Sequence, residues 1–374
     1  FLTLFMIITG IFGLAINNFV IIFICLLYSI LFVLNYIYDE TSTDHFEFQI
    51  ESKQKRFFIG ETNNFVLRID SGNWPIINGK LEITFNDKFV NEWEDEGVVN
   101  KSEIVTIPLT IKRKSTQRIT IPIKANKRGV GRVIQISLIY PNLFGLSKNK
   151  LEAIGLWKEE YLVLPKIMPL KMEEFAQLLK ESEQMSTYSL YENRLLTIGT
   201  RDYVPTDSFK HIHWKASAKL NRLQTKEFEK TNDASILVML NVAEGIWWNQ
   251  DLERLISHIA YIAKIAYEQD FPITFATNIR SFTEYPFFYL PAGTGKAQFE
   301  KILEMLAIID THQQIMPYEE MCAYLLRQNI SSATLIHAGI LTEQTQKLLS
   351  ALQDGRSIFI LSVGEGNAMV KKLA

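Results

Sequence analysis

Two uncharged apolar runs open the chain. "FLTLFMIITGIFGLAI" covers Phe1 to Ile16. After Asn17 and Asn18, "FVIIFICLLYSILFVLNYIY" continues to Tyr38, where Asp39 and Glu40 end it. A helix needs about 20 apolar residues to cross a bilayer. The second run has that length and the first falls slightly short. Together they predict a transmembrane helical hairpin over residues 1–38, returning everything after Asp39 to the side of the N-terminus. A cleaved signal peptide has an apolar core of about 7–15 residues and a small-residue cleavage site, and two runs joined by a dipeptide turn fit that poorly. The chain begins at Phe1 rather than methionine, so a natural N-terminal piece is expected to precede it. Lys53, Lys55 and Arg56 follow the second run and favour a cytoplasmic side for the soluble part.

Beyond His45 the pattern shortens to a period of two. "HFEFQIES", "NNFVLRID", "GKLEITFN", "EIVTIPLTI", "RITIPIKA" and "GRVIQISLIY" read as strands, several alternating apolar with polar residues and separated by Gly, Asn, Asp and Pro clusters. They predict an antiparallel β-sandwich over residues 45–154. From residue 234 the rhythm changes again. "ASILVMLNV" is a buried strand, and Gln250 to Gln269 repeats Leu252, Leu255, Ile256, Ile259, Ile262, Ala263 and Ala266 at helical spacing. A strand at "PITFAT", helices over 296–309 and 318–328, a strand at "SATLIHA", a helix over 342–352 and a strand at "SIFILSV" complete an alternation. That alternation predicts an α/β domain with a mainly parallel sheet over residues 234–374.

Composition narrows the function classes. A formal net charge of −2 and charged residues at 21% exclude a generally basic nucleic-acid binder and wholesale disorder. The two cysteines, Cys25 and Cys322, lie far apart and give neither a disulfide framework nor zinc spacing.

"PAGTGKAQ" (Pro291 to Gln298) is a poor phosphate loop. Leu290 stands where the motif needs its first glycine, and Ala297 stands where Ser or Thr would reach magnesium. A glycine turn before a helix is expected instead. The segment after Asp207, "SFKHIHWKASAKL", carries Phe209, Ile212 and Ala216 at helical spacing, with Asp207 as N-cap. On one helix His211 and His213 point apart and do not share a metal ion. The same helix would align His211, Lys215, Lys219 and Arg222 in a cationic stripe, which reads as a partner-binding face for acidic protein or as charges that meet carboxylates of the same domain such as Asp202 and Glu227. Competing readings are binding of anionic lipid or nucleic acid by that face, and a hydrolase or metal-dependent enzyme centred on Asp207, His211 and His213.

Around this segment the sequence resembles the bacterial "domain of unknown function 58" family. The residues that carry the resemblance are Arg201, Tyr203, Pro205, Asp207, Ile212, Trp214, Ser217, Ala218, Leu223, Lys226 and Glu227. "KRGVGR" at Lys127 to Arg132, "PNLFGL" at Pro141 to Leu146 and "VLPKIMPL" match further family segments. Residues 155–233 are then a connector carrying the family motif. The resemblance implies two membrane helices, a β-sandwich and a von Willebrand factor A-like α/β domain. It also implies a MoxR-type AAA+ ATPase as partner, often with a transglutaminase-like membrane protein.

Von Willebrand A domains that bind magnesium carry Asp-x-Ser-x-Ser after their first strand. This chain has Asn241, Ala243 and Gly245 there, and His337 near a later strand end. No metal and no cofactor are expected. The expectation is a two-pass cell-membrane scaffold or adaptor without enzymatic activity or nucleic-acid partner, with a role in envelope assembly or stress tolerance. Ile212 and Trp214 are expected to pack, Arg201 to pair with Asp207, and Lys215, Lys219 and Arg222 to stay available.

Overall fold

A computed structural model describes residues 11, 15, 19–52, 55–91, 99–101, 104–154, 160–170, 192–205, 207–230, 235–245, 247–328, 334–351, 357–364 and 368–373. The chain divides into two compact units, Phe1–Leu164 and Pro165–Ala374.

The first unit begins with helix α1, Phe19–Thr41. Its most apolar stretch has a mean hydropathy of 2.6 and is nowhere buried, which separates it from the core helix of a globular domain. It is one helix long and apolar enough to cross a membrane. The first half of the expected hairpin lies outside the described residues except for Ile11 and Ala15. The last turn of α1 is different: Tyr38 is buried, packing edge-on against Trp74 (5.5 Å) and Tyr140 (6.4 Å). Trp74 Nε1 donates to Thr41 Oγ1 (2.7 Å), and Asn149 Nδ2 donates to Asp39 Oδ1 (2.6 Å). Ser42 Oγ and Tyr140 OH share a 2.7 Å hydrogen bond.

Two sheets follow. One has the order β1 (Glu47–Ile50), β3 (Thr62–Asp70), β8 (Thr116–Ala125), β5 (Phe89–Asn91). The other runs β2 (Arg56–Phe58), β11 (Glu160–Leu164), β9 (Gly129–Pro141), β4 (Ile76–Phe85), β7 (Ile104–Ile111), β6 (Val99–Lys101), with β10 (Lys148–Ile154) also paired to β9. Period-two patterning puts Leu67, Ile69, Ile119, Ile121 and Ile123 of one sheet into a single core with Leu81, Ile83, Ile136 and Leu138 of the other. At one end Phe57, Phe65, Phe85, Phe89 and Tyr161 form edge-to-face pairs, each adding about 0.5–1.5 kcal/mol to its area burial. A Cβ at Gly131 would sit 2.0 Å from the Phe89 ring, which is why the Arg-Gly turn segment carries glycine there.

Strand β11 corrects the sequence reading, which ended the sandwich at Ile154. Glu160–Leu164 pairs with β9 and, in parallel, with β2, so Tyr161 and Val163 complete the core.

The second unit contains a six-stranded sheet of order β18 (Phe287–Gly293), β17 (Ile273–Arg280), β14 (Ile236–Leu240), β19 (Thr334–Ala338), β20 (Ser357–Val363), β21 (Ala368–Lys372). The four inner strands are parallel and the two edges antiparallel. Every residue of β14 and β19 is buried, as in strands covered on both faces. Helices α3 (Leu252–Glu268), α4 (Gly295–Ile308), α5 (Tyr318–Arg327) and α6 (Glu343–Ala351) cover the sheet. α3 buries the seven apolar positions read from its periodicity. Tyr318, Met321, Cys322 and Leu325 of α5 share a core with Leu237, Met239, Leu335 and Ile358. "PAGTGKAQ" is the end of β18 and the start of α4, where buried Gln298 donates to the Ile273 and Pro291 carbonyls (2.8 Å each).

Candidate functional site

The motif segment is a β-hairpin with an elaborate tip. β12 (Glu192–Asp202) and β13 (Gln224–Lys230) pair antiparallel, matching Arg201 with Thr225, Asp202 with Gln224 and Gly199 with Glu227. Between them lie a 3-10 turn, Phe209–His211, and the short helix α2, Trp214–Leu220.

The single helix expected after Asp207 is therefore broken. Ile212 is extended (φ −67°, ψ 130°) and bridges to Thr225, burying its side chain. His213 N–H donates to Gln224 O (2.8 Å), and its ring Nδ1 accepts the Ala216 N–H (3.1 Å). The helix cap is therefore His213, not Asp207. Apolar spacing alone matched a continuous helix, but the β-branched Ile212 takes a sheet partner and His213 takes one of the orphan N–H groups, that of Ala216. Ser217, buried on the inner face of α2, donates to His213 O (3.1 Å) and accepts Gln224 N–H (2.9 Å).

Asp207 instead holds the turn from below. Arg201 clamps it through two bonds (2.7 and 2.8 Å), and it also accepts Val204 N–H (3.1 Å) and Thr225 Oγ1–H (3.0 Å). The Arg201 hydrogen bonds first, then those from Val204 and Thr225, hold its carboxyl at about 2. A carboxyl so held is an anion at neutral pH and no proton donor.

The cationic stripe does not survive this geometry. His211 sits on the 3-10 turn, off the helix. Arg222 follows the left-handed Asn221 (φ 52°) and binds Asp202 (3.0 Å), so it is not left available. Lys215 and Lys219 remain exposed one turn apart on α2. Trp214, expected to pack, is 66% exposed, and Phe209, tilted against Tyr203 (5.8 Å), is 68% exposed. Of the other motif residues, Pro205, Ala218 and Leu223 are exposed, and Tyr203 and Lys226 are half-buried. The side chain of Glu227 lies outside the described residues.

A second candidate lies at the carboxyl ends of the parallel strands, between β14 and β19 where the strand order reverses. Open α/β sheets place ligands in such a crevice. It measures about 470 Å³ and is lined by Asn241, Ala243, Gly245, Tyr318, Glu319 and Thr342 among others. Neutral amides organise it. Asn241 Oδ1 accepts Ala243 N–H and Asn278 Nδ2–H (3.1 Å each), while Asn278 also donates to Met316 O (3.1 Å) and accepts Val242 N–H (2.9 Å). Gly339 passes so close that a Cβ there would lie 2.6 Å from the Asn241 carbonyl. A hard cation needs several free oxygens. Asn241 offers one already used twice, and among the described residues no three His, Cys, Asp or Glu side chains cluster to hold a metal. His337 is fully buried and hydrogen-bonded to Tyr318 OH (2.7 Å), with burial pushing its pKa down to about 4.

The sequence reading missed Asn278 and Tyr318. The available signal was a polar residue within a buried strand, Asn278, and an aromatic opening a helix, Tyr318.

These features define a class: a chain with a sandwich, an apolar helix, and an α/β unit preceded by an ion-paired hairpin. Residues 199–366 match the family described as "Protein of unknown function DUF58". No curated protein matches the chain. Among solved structures, a protein from Corynebacterium diphtheriae described as membrane anchored shares 12% identity, with 34% of this chain and 36% of that one covered and a TM-score of 0.24. Trypsin-activated alpha-2-macroglobulin from Escherichia coli shares 14%, covering 44% and 9%, at 0.23. CaCohA2 from Clostridium acetobutylicum shares 11%, covering 33% and 94%, at 0.21. The chain thus spans about a third or less of the first two. Likenesses at this level assign no fold.

Proposed function

We propose that this protein is a membrane-anchored docking protein that acts by binding rather than by bond-making, with the motif hairpin as its docking surface. One observation carries the reading. The hairpin uses Arg201, Asp207, Thr225 and Ser217 to hold its frame, yet leaves Phe209 on the 3-10 turn and Trp214 on α2 exposed, the latter on the same short helix as exposed Lys215 and Lys219. Stability alone would bury those rings. Exposed aromatics flanked by cations suit a partner with an apolar pocket rimmed by carboxylates.

The family resemblance supplies the partner class, a MoxR-type AAA+ ATPase, with a transglutaminase-like membrane protein as a possible third member and envelope assembly or stress tolerance as the setting. The reading also takes the chain as two-pass with its soluble units in the cytoplasm, supported by Lys53, Lys55 and Arg56 after the span. It takes the α/β unit as von Willebrand factor A-like, supported by the parallel inner strands and the crevice after β14. The hydrolase alternative has less support, because Asp207 is committed to Arg201 and His213 to the cap of α2. Lipid or nucleic-acid binding through the stripe loses support with Arg222 held by Asp202.

The test uses the full chain in detergent, immobilised and offered a purified MoxR-type ATPase from the same cell. Capture is expected, weakened by roughly 30-fold or more in Trp214→Ala, the scale of an interface hot spot, and in Lys215→Glu/Lys219→Glu. Capture unchanged in both variants would move the docking site elsewhere. Absence of capture by the native chain would remove this partner class.

A further inference from the structure

The end of the sandwich that receives α1 carries a loop built the wrong way round for water. The registers fix which loops share that end. β3 finishes at Asp70, opposite Thr116 at the start of β8; Ile76 opens β4 opposite Ile111, the last residue of β7; Pro141 closes β9 opposite Lys148 at the start of β10. The tip of the β9–β10 hairpin, Asn142 to Ser147, therefore projects from the same end where Tyr38 enters the core. Tyr140 and Asn149, the pair just inside this tip, touch Ser42 and Asp39 at the end of α1.

Within the tip the polar groups are turned inward. Asn142 is buried; its N–H donates to Ser147 O (2.9 Å), its Oδ1 accepts Leu146 N–H (2.8 Å), and its carbonyl accepts Gly145 N–H (3.0 Å). Gly145 supplies the left-handed turn (φ 71°) that closes the loop. The outward side chains are Leu143, Phe144 and Leu146, the last 85% exposed. A solvated hairpin tip ordinarily bonds locally in the same way but shows polar side chains.

The length of α1 sets the depth. Its 23 residues span roughly 34 Å at 1.5 Å per residue, against a hydrocarbon core of about 30 Å. The first charge is Asp39, and the residue before it already belongs to the sandwich core. No spacer separates bilayer from domain, so loops at this end lie at headgroup level. Exposed Lys112, Arg113, Lys114 and Lys148 share the end with exposed Asp39, Glu40, Asp44 and Glu47, so charge does not decide the occupant and the apolar tip does.

We propose that the β9–β10 tip is a membrane-insertion loop, placing Leu143, Phe144 and Leu146 into the lipid headgroup–acyl boundary beside the chain's own helix. The inference rests on reading α1 as a membrane anchor, and it gives the "PNLFGL" segment a physical task.

The full chain, with Cys25→Ala, is reconstituted into phosphatidylcholine–phosphatidylglycerol vesicles. The environment-sensitive dye NBD is attached at Leu146→Cys or, as control, at Lys127→Cys. Lys127 follows β8 at the opposite end, roughly 40 Å away along β9 at about 3.3 Å per residue. Cys322 is buried, with its thiol pushed up to about 12, and is not labelled. Flotation with the vesicles reports anchoring, and quenching by spin-labelled lipid reports contact at the labelled site. The expected result is flotation of both forms, with quenching several-fold stronger at 146 than at 127. Flotation with equal, weak quenching at both sites overturns the loop proposal while leaving the anchor. So does a dye at 146 that is shielded from water yet not quenched by lipid, which would assign the tip to protein. Failure to float overturns the anchor reading and the loop proposal with it.

Discussion

At the motif hairpin a loop is held by charge: Asp207 gathers Arg201, Val204 and Thr225 at a partly exposed site. At the end of β14 a loop is held by neutral amides: Asn278 gathers Val242, Asn241 and Met316 with no exposed surface at all. Each network ties two other chain segments to one side chain. The difference follows burial. An ion in the dry interior loses hydration that a single partner does not restore, whereas an amide satisfied on every side costs little. At the half-exposed hairpin the reverse holds, and a bidentate pair adds geometric precision that an amide lacks. The two sites should therefore fail under different conditions.

The largest effect is expected at the amide site. Asn278→Leu leaves Val242 N–H and Met316 C=O buried without partners, a loss of about 4 kcal/mol at one to three per orphaned group. Exchange protection of β14 and β17 during urea unfolding would measure it, and a loss below about 1 kcal/mol would show that water or relaxation replaces the amide.

Next comes acid sensitivity beside that site. His337 titrates at about 4 in the fold against 6.5 as a free side chain, so the unfolded chain binds the proton more tightly between those values. Stability of the second unit is expected to fall as pH drops from 6.5 to about 4, by roughly 3 kcal/mol from linkage. His337→Gln should flatten that slope.

The charged site responds lower on the pH scale. Asp207 is depressed from 3.8 to about 2, so its contribution is complete above 3.8 and disappears as pH falls toward 2. Asp207→Asn should abolish the change in unfolding midpoint within that window and leave the step near pH 5 untouched. A variant that altered both steps would mean the two networks are coupled.

The smallest stability effect is expected at Trp214→Ala, within about 0.5 kcal/mol for so exposed a side chain. Its consequence belongs to partner capture. A large destabilisation would instead make the ring structural.

Much of this was readable from the chain. Alternation in β3 and β8, and the seven apolar positions of α3, are local patterns that burial then obeys. What failed was decided by distant partners. Nothing local in "SFKHIHWKASAKL" reveals that Thr225 will draw Ile212 into a bridge. Nor does it reveal that a left-handed Asn221 will swing Arg222 to Asp202. The edge strands β18 and β21 and the late strand β11 escaped notice because each is defined by the neighbour it pairs with. At the crevice, the loss of the acidic and hydroxyl pattern was legible, but its replacement by an Asn241–Asn278 pair needs two strands brought side by side.

The seating of Tyr38 between Trp74 and Tyr140 has a mechanical consequence. A helix joined to its domain by a loose linker lets the domain swivel, and a pull on either is absorbed as slack. Here the last helical turn is a wedge in the sandwich, so, with α1 read as a membrane anchor, a tilt of the helix in a thinner or thicker bilayer becomes a tilt of the whole first unit. A tug on that unit loads an aromatic joint in shear rather than stretching a tether. On that reading the first unit is a stiff post on its anchor.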